Sequence, residues 1–116
     1  MVEQKRKDGI TVKKILKEID DISRYIAGMA AGDFYADDKT QKAVAMTLIN
    51  IGELSKAFSA RFIESNKGVP WKGIQATRNV AAHSYESFDM SVVWKTIKDD
   101  LPKLKSMLET YQPNAE

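Results

Sequence analysis

The chain of 116 residues contains no cysteine, one histidine and three prolines, and nowhere a long apolar run. Without cysteine there are no disulfides, thiolate nucleophiles or cysteine-based zinc and iron–sulfur sites, which fits a reducing, cytoplasmic compartment. One histidine leaves a transition metal few candidate ligands, and neither a metal site nor a cofactor is expected. The first residues, MVEQKRKDGI, are charged rather than apolar, so neither an export signal nor a membrane span is expected. Charge of one sign is also scarce. The formal net charge is +2, so any basic patch for nucleic acid must be local.

What is present suits one soluble core. Hydrophobic residues make up 43% and charged residues 29%, which argues against a disordered chain, and the length favours a single domain. Residues 1–9 read as a flexible charged tail ahead of Gly9, with one helical domain over 10–116. From Thr11, a plausible N-cap, Val12, Ile15, Leu16, Ile19, Ile22 and Ile26 form one stripe of an amphipathic helix that Gly32 and Asp33 would stop.

Asp37 or Asp38 then opens an apolar period through Val44, Leu48, Ile51, Leu54, Phe58 and Phe62 to Gly68. That is one helix of about thirty residues, roughly 45 Å long. Gly52 in its middle costs about 1 kcal/mol against alanine, a cost explained by a close neighbouring backbone or by simple tolerance.

Val69 and Pro70 break the pattern, and a shorter helix begins near Trp71. Asp89 caps a last helix carrying Val92, Val93, Trp94, Ile97, Leu101, Leu104 and Leu108, which Pro102 should bend or split. No segment alternates as a strand does. The expected fold is all-α, an antiparallel four- to five-helix up-and-down bundle.

The only histidine lies in RNVAAHSY, residues 78–85. On a helix Arg78 and Tyr85 nearly align, while Asn79 and His83 are neighbours four apart. Arg78 offers a fork of donors suited to phosphate, and His83 can take and give a proton near neutral pH. These are the parts of a metal-free phosphodiesterase, in which His83 deprotonates a ribose hydroxyl, Arg78 stabilises the phosphoryl oxygens and Asn79 orients the imidazole or binds substrate. The same residues could instead pair with a surface carboxylate, cap a helix end and fill the edge of the core.

The stretch resembles the signature of the HEPN superfamily: Arg, four residues, His, any residue, Tyr. Within that superfamily it is similar to the HepT-like toxins, once catalogued as a family of unknown function. The likeness extends through DDKTQKAV, NIGELSKAF, VPWKGIQATRNVAAHSY and VVWKTIKDDLPKLK. It implies a helical bundle that dimerises with two motif copies facing a shared cleft, cutting RNA without metal.

By the same resemblance, Arg78 and His83 match the catalytic positions and Asn79 the polar position that follows the arginine. Tyr85 matches the tyrosine to which a nucleotidyltransferase antitoxin attaches AMP, which would block the cleft by bulk and charge. Ser84 stands where many relatives have glycine, and the Ala81–Ala82 pair replaces a bulkier residue, changes that bear on cleft shape.

Glu53, in the segment resembling the family's IGE, is either a supporting carboxylate beside Arg78 or a solvent-facing residue. Trp71 and Trp94 are expected in the core rather than as base-stacking platforms. The acids of DFYADDKTQKAV lack the glycine and final glutamate of a calcium loop and suit caps better. Lys56, Arg61, Lys67, Lys72 and Arg78 could line a path for RNA phosphates or form a solvated face. Beside the ribonuclease stands a second reading from another class, a non-catalytic binding module that pairs with a nucleotidyltransferase and holds nucleotide or RNA.

Overall fold

The structure, a computed structural model, describes residues 2–75 and 89–111. All regular structure among them is helical. Helix α1 spans Val2–Tyr25, α2 Ala31–Tyr35, α3 Asp38–Ser55 and α4 Ala60–Ser65. Residues 71–75 begin a further helix. A last rod comprises α5 (Met90–Lys95), a π-helical turn (Thr96–Asp100) and α6 (Leu101–Glu109).

The directions of the long helices follow from which residues meet. Asp8 of α1 touches Ser59 just beyond α3, and Glu18 further along α1 touches Asn50 of α3. The two helices therefore run antiparallel. Trp94 packs on Phe34 past the far end of α1, whereas the charge of Asp8 acts on Tyr111 near its start, so the last rod also runs against α1.

Between them lies a core in which Ile15, Phe34, Val44, Ile51 and Leu104 are wholly buried. The expected stripe faces inward: Val12, Ile15, Ile19 and Ile22 of α1 and Ile26 just after it are buried, and Leu16 is half-buried against them. Trp71 is buried and donates its indole N–H to the Asn66 carbonyl at 2.9 Å; Trp94 is half-buried, against Phe34. Gly52 is buried within α3.

Several boundaries differ from those expected. Residues 2–9, expected as a flexible tail, are the first turns of α1. Glu, Gln, Lys and Arg favour helix there, and Thr11 sits inside it, donating its hydroxyl to the Lys7 carbonyl rather than capping. What ties this segment down is Asp8, only 4% exposed. Its carboxylate accepts from the Ser59 amide at 3.1 Å, from the Ser59 hydroxyl at 3.0 Å and from the Gln4 side-chain amide at 3.2 Å.

The Ser59 hydroxyl in turn accepts from the Phe62 amide, capping α4. Asp8→Ala should therefore cost about 1–3 kcal/mol, the usual effect of stranding buried hydrogen-bond partners. Urea unfolding would read it, and a loss well below this range would mean that the first turns of α1 are dispensable.

The same cap explains why the expected thirty-residue helix is broken. Ser59 adopts extended backbone, φ −65° and ψ 154°, and separates α3 from α4. The apolar period continues across the break, because Phe58 and Phe62 still bury against the core. Before α3 the chain also turns once more than expected. Instead of stopping at Gly32, α1 ends at Tyr25, Gly28 takes φ +78° in the turn, and Gly32 lies within α2. Asp33 accepts from the Ala30 amide, and Gln41 donates to the Phe34 and Tyr35 carbonyls, binding α2 to α3.

Asp37 and Asp89 cap α3 and α5 as expected, accepting from the Thr40 and Ser91 amides. These duties account for the spacing of the acids around residue 37. Hydrogen bonds from Thr40, amide first, hold the Asp37 carboxyl below the usual range, as bonds from Ser91, hydroxyl first, hold that of Asp89. A lowered folded-state value stabilises above the unfolded value, about 3.9, and that contribution is lost as pH falls through the folded one. The double variant Asp37→Asn, Asp89→Asn should thus be less steeply destabilised by acid, measured as thermal midpoint between about pH 5 and 2.

Pro102 acts through what precedes it. With no N–H to give and a ring that needs room, it follows a widened turn in which the Leu101 amide reaches the Thr96 carbonyl. The rod is split there.

Candidate functional site

The motif residues Arg78, Asn79, His83 and Tyr85, with Ala81, Ala82 and Ser84, lie outside the described residues. The structure fixes how the chain enters and leaves them. On the entry side Trp71 and Ile74 are buried, and the Ile74 amide bonds the Pro70 carbonyl. Trp71 meets Phe58 and Phe62 edge-on, with ring centroids 5.6 and 6.3 Å apart. On the exit side Asp89 starts α5, whose Val93 is buried. The chain is therefore packed into the core at Trp71 and Ile74 before the segment and at Val93 after it.

Of the expected site residues, Glu53 alone is described. It is exposed on α3 and lines a groove of about 450 Å³ between α1 and α3. Lys14, Lys17 and Glu18 of α1 form one wall, and Asn50, Glu53 and Leu54 of α3 the other.

Lys17, Asn50 and Glu18 are tied to partners. Lys17 pairs with Asp21 at 3.0 Å, which raises the lysine pKa through that hydrogen bond, and Asn50 donates to Glu18 at 3.1 Å. Arg24 bonds the other oxygen of Asp21, and the two cations hold that carboxyl below its usual range, the bond from Arg24 first. The Lys14 ammonium has no ion pair among the described residues.

Lys14, Lys17 and Asn50 were not singled out by sequence. Three-residue spacing on a charged helix face is ordinary, and nothing local joins α1 to α3. Of the basic residues proposed to line a phosphate path, Lys56, Arg61 and Lys72 are exposed, and Lys67 pairs with Glu64 at 3.2 Å. Trp94 offers no open platform for a base, since Phe34 covers it and the Lys98 ammonium sits 4.8 Å from its ring centroid. No described helix is long and apolar enough to cross a membrane.

Among the described residues the chain is an all-helical bundle, with an Arg-x4-His spacing in the sequence between Trp71 and α5, and comparison with known proteins narrows the class. Residues 15–111 match the family described as "Ribonuclease HepT-like". A protein of Thermococcus cleftensis named "Probable ribonuclease HepT" is 34% identical over 105 residues, 90% of this chain and 96% of the relative. One from Methanocaldococcus jannaschii named "Putative RNase MJ1380" is 32% identical over 82% of this chain and 87% of its own. No solved structure matches the chain significantly. The chain belongs to the HepT-like ribonuclease family.

Proposed function

We propose that this protein is an endoribonuclease that cuts RNA without a metal ion, as the toxin subunit of a prokaryotic toxin–antitoxin pair. The observation that carries the reading is the Arg78-x4-His83-x-Tyr85 spacing within a chain whose family match spans residues 15–111.

The chemistry follows from the side chains. His83 accepts the proton of a ribose 2′-hydroxyl, and the oxygen attacks the adjacent phosphorus as the bond to the 5′-oxygen breaks. Products are a 2′,3′-cyclic phosphate and a free 5′-hydroxyl. Arg78 places two parallel donors on the non-bridging oxygens, where charge grows in the transition state. Asn79 holds the imidazole or the substrate, and Glu53 supports the arginine. The leaving 5′-oxygen needs a proton, and His83 of a second copy supplies it in a homodimer whose motifs share one cleft.

Tyr85, two residues from the base, is the site of silencing. AMP attached there by a nucleotidyltransferase antitoxin puts a phosphate and a nucleoside where the RNA must lie. Such a pair works in the cytoplasm, where its RNA is.

The test is cleavage of a labelled RNA pool in EDTA by protein verified by mass to be unmodified, beside His83→Ala. Cutting by the first and not the second supports the reading. Equal inactivity of two folded proteins overturns it in favour of a non-catalytic module that binds nucleotide or RNA.

A further inference from the structure

The open groove between α1 and α3 has room for a small ligand, about 450 Å³ against the roughly 300 to 1,000 Å³ of pockets that take small molecules. Its chemistry is mixed in an informative way. Lys14 and Lys17 bring positive charge on the α1 wall, Glu18 and Glu53 bring an equal negative charge, and Asn50 brings an amide. A bare phosphate or sulfate would meet two carboxylates here and gain little.

A ribonucleotide presents an anionic phosphate beside hydroxyls and base N–H groups that donate to carboxylates and amides. Lys14 is the cation available for the phosphate, because Lys17 is committed to Asp21. The bond from Asn50 to Glu18 fixes the amide plane, leaving the amide oxygen as an acceptor and one N–H as a donor. That is the pairing an Asn side chain offers to a base edge.

We propose that this groove is a subsite for one nucleotide of a single-stranded RNA, with Lys14 on its phosphate, Asn50 on its base and the acidic wall toward its hydroxyls. It rests on the ribonuclease reading for its ligand class, and it adds to the motif residues a binding face formed by α1 and α3.

The experiment measures binding of a labelled single-stranded oligoribonucleotide by fluorescence anisotropy, in the full chain carrying His83→Ala so that the strand stays whole. Adding Lys14→Gln should weaken binding about five- to tenfold at low salt and reduce the slope of log affinity against log salt by about 0.7, the loss of one phosphate contact on a single strand. Adding Asn50→Ala should weaken binding by a factor that salt does not change. In chains with His83 intact, both substitutions should raise KM and leave kcat within about twofold, the signature of lost uniform binding. Lys14 and Asn50 are both exposed, so adding either substitution should leave the thermal midpoint of the parent unchanged.

RNA binding unchanged by both substitutions overturns the subsite, even if the wild type cuts RNA normally. Binding that depends on Lys14 and Asn50 in a chain that cuts nothing sustains the subsite and overturns the catalytic reading. A parent protein that does not bind the oligoribonucleotide at all overturns the subsite.

Discussion

His83→Ala should leave RNA essentially whole under conditions where the unmodified wild type cuts it in EDTA, a fall of about 10²–10⁴ in rate, the usual worth of a positioned general base. The variant should unfold at the same denaturant concentration as the wild type, which separates chemistry from folding. If two copies of His83 act as base and acid, the rate against pH should be bell-shaped, because one imidazole must be neutral and the other protonated. A rate that only rises with pH would mean that the leaving oxygen takes its proton from elsewhere, and would count against a shared cleft. Arg78→Lys should not restore what Arg78→Ala removes, since an ammonium cannot reproduce the planar fork on two phosphoryl oxygens. A variant at His83 that cuts as fast as the wild type would end the case for this histidine.

The helical class was legible because α1 carries its core residues at helical spacing and Asp37 and Asp89 announce the starts of α3 and α5. What was not legible depended on pairs far apart in sequence. Gly9 looked like a boundary, yet it lies buried inside α1, where the bond between Asp8 and Ser59, 51 residues away, holds the first turns in place. Ser59 looked like one more position in a long helix until Asp8 fixed its side chain and backbone as the cap of α4. The π-helical turn before Pro102 shows the reverse case, in which a local rule predicted the disturbance and only its form was open.

The candidate site divides in the same way. Arg78, Asn79, His83 and Tyr85, outside the described residues, stand out in the sequence because their spacing is local and resembles a known signature. Lys14 and Asn50 do not, because only the antiparallel packing of α1 on α3 puts them in one groove.

Phe62→Ala should cost about 3–5 kcal/mol, a large share of the roughly 5–15 kcal/mol that holds a domain of this kind together. The ring is 5% exposed and lies at the centre of an aromatic cluster. It stacks on Phe58 at 4.1 Å with planes 9° apart, and meets Trp71 and Tyr111 edge-on at 6.3 and 5.2 Å. Removing it leaves a cavity and strips three rings of a neighbour at once. Tyr111 carries a pKa raised by burial, then by the charge of Asp8, so the cluster also joins the chain's last described residue to the cap at Ser59.

The consequence for function passes through Trp71, which starts the helical turns of residues 71–75, shortly before Arg78 in the sequence. With Phe62 gone, the amides of residues 71–75 should exchange faster with solvent, and cleavage should fall even below the thermal transition of the variant. Phe62→Leu, which keeps most of the volume, should retain most of both stability and activity. Urea unfolding and hydrogen exchange on the two variants check the chain of effects. A loss below about 1 kcal/mol in Phe62→Ala would show that the cluster collapses around the gap, and that the entry to the motif is held by Ile74 and the turn at Pro70 instead.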